Sequence, residues 1–336
     1  MASGTKTATV QASQVPSTQS NIPLYVDLSA LGITTQAEAD SVRVYSGTDE
    51  ATEWAREIVS ASVMWVKVPS MTSSTAIYIN WDGVRSDYAV TATYGRNAVW
   101  SNGYAAVYHL ENLTTDSTGN LYTLTNNNTV TSGTGKIGGC GSFNGSNQYL
   151  GINNNIGIDG GACTISAWVN PNSASQVDGV AETGSAASDV NNVILYHGGV
   201  PATWFDRHKY GAAQDSSQIS GSRAASTWHQ FTYSYNGSTV TGYVNGTAGS
   251  GTSASGNGNN GNTNHTEIGF ARRYSLYWDG LIDEVHFSTV GRSADWIEAQ
   301  YNNQNSNSGF WGTWSDYTPS GGGGTVLPQF TPFSRP

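Results

Sequence analysis

Gly280-Leu281-Ile282-Asp283-Glu284-Val285-His286-Phe287 is the stretch that predicts the fold, because it has the pattern of a β-strand at the centre of the larger half of the chain. Side chains of an extended strand alternate between its two faces. One face would carry Leu281, Asp283, Val285 and Phe287, and the other would carry Ile282, Glu284 and His286. Apolar residues on both faces indicate a mostly buried strand, so the two adjacent carboxylates need polar surroundings at one end.

Length and composition indicate an all-β protein with two domains. The chain has 336 residues, which is long for one sandwich and sufficient for two. Only 11% of the residues are charged and 40 are glycine, while 11 Trp and 18 Tyr supply apolar area for a core. This mixture predicts many tight turns and a surface solvated by amides and hydroxyls rather than by charges.

The charge balance excludes several classes of partner. The net charge is −10, and the chain has no run of Lys or Arg that could bind phosphates. We therefore expect no nucleic-acid partner. No segment approaches the apolar length of a membrane span, so we expect no membrane insertion. The first seven residues lack the basic and apolar regions of an export signal, which predicts a chain without a secretion signal of its own.

The two cysteines, Cys140 and Cys163, have two interpretations. They could pair in an oxidising compartment. They could also be free thiols on core strands, and this is the interpretation that we favour.

The first part of the chain, from residue 7 to residue 92, has a succession of strand-like runs. The clearest runs are IPLYV at 22–26, VRVY at 42–45, WVKVP at 65–69 and IYINW at 77–81. This order resembles a small β-sandwich of uncharacterised function that often precedes laminin-G-like domains in bacterial surface and phage proteins. That family usually ends the last run with a Tyr-Gly turn, where this chain has Trp81-Asp82-Gly83. The resemblance implies a β-sandwich over residues 1–97 and no activity.

The second part of the chain carries six motifs in the order seen in concanavalin A-like domains of the laminin-G type. They are VYHLE at 107–111 with the turn DSTGN at 116–120, GKIGGCGSFNGSNQYL at 135–150, CTISAWVNP at 163–171, WHQFTYSYNG at 228–237, TGYVNG at 241–246, and GLIDEVHF at 280–287 with a helix over 293–301. Cys163 stands where that family usually has Phe. The resemblance implies a concanavalin A-like jelly roll over residues 98–317. The predicted fold is therefore all-β, with two β-sandwich domains and an extended C-terminal tail.

Catalysis is not expected, although several glycoside hydrolases share the jelly roll. A retaining glycosidase needs two carboxylates about 5–5.5 Å apart that face the sugar, and the E-x-D-x-x-E spacing that supplies them is absent. Asp283 and Glu284 are neighbours, so strand alternation predicts that they point to opposite faces. No Ser-His-Asp elbow, phosphate loop or zinc spacing appears either. We therefore expect a protein that is not an enzyme.

Calcium is the expected cofactor, because laminin-G-like sandwiches often hold it on a rim through carboxylate and amide oxygens. The resemblance implies Asn144, Asn147 and Asp283 as its ligands. The family usually has Asp where Gln148 stands, which removes a charged ligand from the set. The alternative is that Asn144 and Asn147 form only a turn.

Two segments dense in aromatic and cationic residues are candidates for glycan binding, because sugars stack on exposed rings beside polar groups. The candidate residues are Trp204, Arg207 and Tyr210 in the first segment and Arg273, Tyr274 and Trp278 in the second. The alternative is that these rings fill the edges of the sandwich or an interface.

The chain ends with a change in composition after residue 317. Gly321 to Gly324 form a flexible linker, and proline-spaced apolar residues follow it. We expect Val326, Leu327, Phe330 and Phe333 to dock on a neighbouring subunit, either in a homo-oligomer or in a larger assembly.

Two hypotheses of function follow. In the first, the protein is a phage virion decoration or fibre protein that displays its laminin-G-like domain at the virion surface, where it binds glycans or a host surface. In the second, it is a bacterial carbohydrate-binding adhesin, either extracellular or on the cell surface. The predicted absence of an export signal favours the first hypothesis.

Overall fold

The structure is a computed structural model that describes residues 2–154, 156–158, 161–175, 177–184, 193–198, 203–210, 213–220, 224–253 and 265–320. Its architecture is all-β, as the sequence predicts, with two sandwiches that follow one another along the chain. None of the helices in these ranges has the length and apolar character needed to span a bilayer.

The first sandwich is built from two antiparallel sheets of three strands each. Its strands are β1 (Gly4–Thr9), β2 (Gln19–Asp27), β3 (Arg43–Tyr45), β4 (Arg56–Ile58), β5 (Val63–Met71) and β6 (Ala76–Trp81). One sheet has the order β1-β6-β3 and the other has the order β2-β5-β4. Alternate residues of facing strands, such as Leu24 and Val66 against Ile77 and Ile79, are fully buried and form the core.

Short helices connect these strands. They are α1 (Gln36–Asp40), α2 (Arg96–Val99) and two 3-10 turns, Ala12–Gln14 and Leu28–Leu31. Helix α1 begins with a capping box, because the Thr35 hydroxyl accepts from the Glu38 amide and the Glu38 carboxylate accepts from the Thr35 amide.

The second sandwich contains eighteen strands among the residues that the structure describes. They are β7 (Tyr104–Tyr108), β8 (Thr125–Asn127), β9 (Thr131–Thr134), β10 (Gly139–Asn144), β11 (Tyr149–Ile152), β12 (Cys163–Pro171), β13 (Val177–Gly184), β14 (Val193–Gly198), β15 (Thr203–Tyr210), β16 (Ala213–Ser220), β17 (His229–Tyr235), β18 (Thr239–Val244), β19 (Thr247–Ala248), β20 (Thr252–Ser253), β21 (His265–Ile268), β22 (Phe270–Ala271), β23 (Leu276–Tyr277) and β24 (Asp279–Ser288). A 3-10 turn, Arg272–Tyr274, separates β22 from β23.

These strands form a jelly roll of two large sheets. The nine-stranded sheet has the order β19-β18-β17-β12-β24-β10-β9, with β20 on β18 and β7 on β24. The seven-stranded sheet has the order β16-β15-β14-β13-β21-β11-β8, and β22 pairs with β23. Ile165, Phe231 and Phe287 of the first sheet share a core with Leu150 and Ile268 of the second.

Strand β24 is central, as its sequence predicts. It pairs with β12 along one edge, and with β10 and then β7 along the other. Gly280 is the first residue of β24 that pairs with β12. Its φ is 137°, and a Cβ atom there would collide with the backbone oxygen of Asn170.

The chain returns to the first sandwich after β24. Ser293 caps helix α3 (Ala294–Asn305), and α4 (Asn307–Trp311) follows it. Trp296, Ala299, Phe310 and Trp311 are buried in the core of the first sandwich. The segment that begins at 294, which the predicted boundary assigns to the jelly roll, therefore also contributes to the core of the first sandwich.

The two helices also cover the free edge of β2. The Asn303 side chain accepts from the Tyr25 amide at 2.7 Å and donates to the Tyr25 carbonyl at 3.0 Å. Asn307 accepts from the Asp27 amide at 3.0 Å, and the Trp311 indole donates to the Tyr25 carbonyl at 2.9 Å. These side chains therefore form hydrogen bonds with backbone N–H and C=O groups that an exposed edge strand would leave unpaired.

Cys140 and Cys163 are both buried free thiols. Burial raises the pKa of each thiol to about 12. The favoured interpretation of the two cysteines as core thiols agrees with this structure.

We predict that Trp311→Ala destabilises the first sandwich by about 3–5 kcal/mol, the usual cost of truncating a buried aromatic side chain. Trp311 is fully buried in that core. Val84→Ala is the control, because Val84 is 80% exposed. Urea unfolding of the full chain, followed by tryptophan fluorescence and circular dichroism, gives both values. Equal midpoints for the two variants would show that α4 does not belong to the core.

Candidate functional site

A β-bulge at Glu284 determines the position of the acidic residues in β24. Glu284 has a φ of 47°, and the β12–β24 register shifts by one residue between Ser166 and Trp168. In a regular strand, residues three positions apart point to opposite faces. Because of the bulge, Ile282 and Val285 both point into the jelly-roll core. The prediction that Asp283 and Glu284 point to opposite faces is wrong, because the bulge turns both away from this core.

Four buried side chains meet where the two sandwiches dock, and we call them the interdomain cluster: Glu57, His109, Glu284 and His286. His109 Nδ1 lies 2.7 Å from Glu284 Oε2, and His286 Nε2 lies 2.9 Å from the same oxygen. His109 Nε2 lies 3.1 Å from Glu57 Oε2. Glu57 belongs to β4 of the first sandwich, so the cluster joins the two domains.

Aromatic rings enclose the interdomain cluster. The Trp65 ring stacks on His109 with centroids 5.6 Å apart, and Trp100 lies 5.5 Å from the same imidazole. Trp100 Nε1 donates to Glu57 Oε2 at 2.6 Å, and the Ser117 hydroxyl donates to Glu57 Oε1 at 2.7 Å. Glu57 therefore accepts hydrogen bonds at both oxygens, which offsets the cost of burying its charge.

The charges of the cluster are set by burial and by the close pairs. Burial alone would lower the pKa of His109, but Glu284 and Glu57 outweigh it and raise the pKa to about 10. Burial raises the pKa of Glu284, and His109 reverses the effect and lowers it. Burial lowers the pKa of His286. The two carboxylates therefore favour the protonated form of the His109 imidazole.

Asp283 lies beside the interdomain cluster and is also fully buried. Its carboxylate accepts from the Ile137 amide and from the Glu284 amide, each at 2.8 Å. Burial and the neighbouring Glu284 raise the pKa of Asp283 well above its usual range. Asp283 and Glu284 are almost fully buried, and neither contributes to the lining of the two pockets described below.

A small polar pocket of about 100 Å³ opens beside the cluster at the domain junction. It is lined by Glu57, Ile58, Val59, Arg96, His109, Glu111, Asn112, Thr115 and Ser117. Glu57 and His109 of the cluster therefore border this pocket.

The three predicted calcium ligands do not lie together. Asn144 is opposite Asp279 in the β10–β24 pairing, which is four residues, or about 13 Å, from Asp283. Asn144 Oδ1 accepts from the amides of Ser146 and Asn147, and its amide group donates to Asn147 Oδ1. These two residues form the turn that the alternative interpretation describes. Calcium binding by this chain stays a prediction.

A second pocket, of about 330 Å³, lies on the seven-stranded sheet, and we call it the Tyr149 pocket. Its lining residues are Thr125, Asn127, Tyr149, Gly151, Ile152, Asn153, Glu267 and Arg272. Leu150 and Ile268 of the same strands point into the core, so Tyr149 and Glu267 point away from it. The pocket therefore lies on the side of the jelly roll opposite the first sandwich.

The Tyr149 pocket combines an aromatic wall with a paired charge. Tyr149 lies 5.3 Å from Phe270, which stacks on Tyr277 with centroids 4.2 Å apart. Arg272 Nε donates to Glu267 Oε1 at 2.9 Å. Glu267 Oε2 has no hydrogen-bond partner among the described residues, and burial raises the pKa of this carboxyl. Amide and hydroxyl groups of Asn127, Thr125 and Asn153 complete the lining.

The predicted glycan-binding residues have different outcomes. The prediction that Trp278 stacks on a sugar is wrong, because its side chain is fully buried in the jelly-roll core. Tyr274 packs against Ala271 and is half-buried. The backbones of Trp204, Arg207 and Tyr210 lie in β15, but their side chains, like that of Arg273, lie outside the described part of the structure.

The tail residues that were predicted to dock, Val326, Leu327, Phe330 and Phe333, also lie outside the described residues. Their docking stays a prediction.

The sequence patterns do not predict Glu57, His109 or Tyr149 as site residues. His109 was visible within the VYHLE motif, and strand alternation placed His286 beside Glu284. The contact of Glu57 with His109 joins residues 52 positions apart in different domains, and no local pattern reports it.

The second domain has the fold of a concanavalin A-like lectin. Residues 144–298 match the model of the concanavalin A-like lectin/glucanases superfamily. The comparison with curated proteins gives no match. The family resemblance of the first sandwich stays a prediction.

Solved structures of similar fold include domain 4 of AbnA, a GH43 extracellular arabinanase from Geobacillus stearothermophilus, in complex with arabinotriose. It has 17% identity and a TM-score of 0.50, over 59% of this chain and 98% of that chain. The botulinum neurotoxin serotype G binding domain has 12% identity and a TM-score of 0.49, over 59% and 50%. The CBM40 of Ruminococcus gnavus IT-sialidase, bound to α2,3-sialyllactose, has 10% identity and a TM-score of 0.38, over 42% and 83%. At these identities the likeness concerns the fold alone.

We predict that Glu57→Ala lowers the stability of the full chain by about 3–5 kcal/mol, because it leaves the buried His109 charge with one carboxylate fewer. It also leaves the Trp100 indole and the Ser117 hydroxyl without their acceptor. Glu298→Ala is the matched control, since Glu298 is exposed on α3. Urea midpoints of the two variants provide the measurement, and equal midpoints would contradict the prediction.

Proposed function

We propose that this protein is a non-enzymatic carbohydrate-binding protein and that the Tyr149 pocket is its glycan site. The observation that carries the proposal is the pairing of an aromatic ring with amide, hydroxyl and carboxylate groups in one pocket of about 330 Å³. Sugars present apolar faces that stack on rings, and hydroxyls that need fixed donors and acceptors. The lectin-type fold and the arabinotriose complex of the arabinanase domain support the proposal.

The charge of the pocket favours a neutral glycan. Arg272 is the guanidinium of this pocket, and Glu267 engages it through both Nε and a terminal nitrogen. Both hydrogen bonds go to Oε1 of Glu267, and they leave less of the guanidinium for the carboxylate of an acidic sugar. The amide groups of Asn127 and Asn153 can instead bind hydroxyls.

We further propose that the protein displays this site on a larger assembly. The first sandwich and α3 cover the nine-stranded sheet, so the Tyr149 pocket would face outward from any surface to which the first sandwich is attached. A phage virion is the setting that we favour, with a bacterial cell surface as the alternative. Immunogold labelling of virions with an antibody against the jelly roll tests the setting.

We predict that Tyr149→Ala weakens binding of neutral oligosaccharides by about tenfold or more, because it removes the ring on which the sugar stacks. Tyr94→Ala is the control, since Tyr94 is half-buried in the first sandwich, far from the pocket. Calorimetric titration with arabino-oligosaccharides and with sialyllactose tests both the site and the preference for neutral ligands. Binding that is equal in wild type and Tyr149→Ala would contradict the site.

We predict that the protein releases no new reducing ends from a panel of polysaccharides. Hydrolysis needs two carboxylates at the sugar, and Glu267 is the single carboxylate that lines the Tyr149 pocket. A reducing-end assay at several protein concentrations provides the measurement. Release that increases with protein concentration, persists in Glu298→Gln and disappears in Glu267→Gln would show an enzyme.

A further inference from the structure

The interdomain cluster contains three atoms that are arranged as metal ligands. One ring nitrogen of His109, one ring nitrogen of His286 and a carboxylate oxygen of Glu284 all lie within 4.8 Å of one another. Ligand atoms around one tetrahedral zinc ion, with bonds of about 2.0–2.2 Å, lie about 3.3–3.6 Å apart. The two contacts to Glu284 Oε2, 2.7 and 2.9 Å, are shorter than that, so the imidazoles must move slightly apart to admit an ion.

A second, independent observation points to a missing ligand. Glu284 Oε1 is buried and has no hydrogen-bond partner among the described residues. A buried carboxylate oxygen without a partner is costly. A cation bound by both oxygens of Glu284 would give Oε1 a partner. Hydrogen bonds from the two imidazoles reach only Oε2.

The neighbouring groups match those that support metal-bound histidines. A metal-bound imidazole usually donates its other N–H to a carboxylate, which fixes its tautomer and orientation. His109 Nε2 lies 3.1 Å from Glu57 Oε2, and Trp100 and Ser117 hold that carboxylate in place. Among the ion pairs of the described residues, imidazoles are the cationic partners of Glu57 and Glu284, so no Lys or Arg neutralises this site.

We propose that His109, His286 and Glu284 bind one divalent transition-metal ion of the zinc class. Two imidazole nitrogens and one carboxylate suit zinc or cobalt, whereas calcium prefers a shell of oxygens alone. The site is closed by Trp65, Trp100 and Tyr104, so the ion has a structural role. Glu57 comes from the first sandwich, and metal binding therefore stabilises the docked arrangement of the two domains.

The test uses the full chain without an affinity tag. The protein is treated with a chelator, dialysed and equilibrated with Zn²⁺ or Co²⁺. Elemental analysis measures the stoichiometry, the Co²⁺ visible spectrum reports the coordination geometry and any thiolate ligand, and pulsed electron paramagnetic resonance of the Co²⁺ form reports the imidazole nitrogens. We expect one ion per chain with two imidazole ligands, and a rise in melting temperature when the ion is bound.

Three variants separate this site from adventitious binding. His286→Ala should abolish stoichiometric binding, and Glu57→Gln should weaken it about 10–100-fold while retaining the ion. His265→Gln should bind as wild type does, because His265 is a buried histidine on the other sheet, paired with Glu182.

Several results would overturn the proposal. The first is that the wild-type chain retains no ion. The second is that the Co²⁺ form has fewer than two imidazole ligands or has a thiolate ligand. The third is that folded His286→Ala binds the metal with the same affinity as the wild type. Circular dichroism establishes whether each variant is folded. If His286→Ala does not fold, the wild-type cobalt spectrum and the affinity of Glu57→Gln still decide the question. The proposal stands apart from glycan binding, so titration with oligosaccharides can fail without affecting it.

Discussion

The buried carboxylate of Glu284 is the constraint on which the rest of the structure depends. An ionised group in the interior is tolerated only when charge or hydrogen bonds compensate it. The bulge in β24 turns Glu284 out of the jelly-roll core and toward His109 and His286, which supply that compensation. His109 in turn has a second ring nitrogen that needs an acceptor, and the jelly roll does not provide it. Glu57 of the first sandwich does, so the polar requirement of one strand extends across the domain junction.

The helices after β24 strengthen the same junction by a different route. The outer face of the nine-stranded sheet presents Trp168, whose indole donates to Gln304 of α3 at 2.5 Å. The opposite side of α3 contributes Trp296 and Ala299 to the core of the first sandwich. Each sandwich therefore buries apolar area that its own strands leave open, and the two domains are parts of one folding unit. This arrangement covers the nine-stranded sheet of the jelly roll, whereas the Tyr149 pocket lies on the seven-stranded sheet.

Local pattern predicted the elements well and the contacts between them poorly. Six ordered motifs were enough to identify the jelly roll, because each records a strand or a turn in its own residues. The alternation rule put Asp283 and Glu284 on opposite faces and failed there, because a bulge is a property of the β12–β24 pairing and not of either strand alone. Trp278 illustrates a second limit, since a segment rich in rings gives no sign of which ring becomes the core residue. The residues grouped as calcium ligands failed because register separates Asp283 from Asn144 along β24.

The two sheets of the jelly roll each hold a buried glutamate with one unsatisfied oxygen, and their surroundings decide what each can bind. Around Glu284, imidazoles supply nitrogen ligands and indole rings exclude bulk water, so the space suits a single ion. Around Glu267, a guanidinium already neutralises the charge, and the pocket is wide enough for a sugar ring beside Tyr149. Both glutamates are buried, and the difference lies in their neighbours. Glu284 contacts two imidazoles at the domain junction, whereas Glu267 contacts a guanidinium beside a pocket on the other sheet.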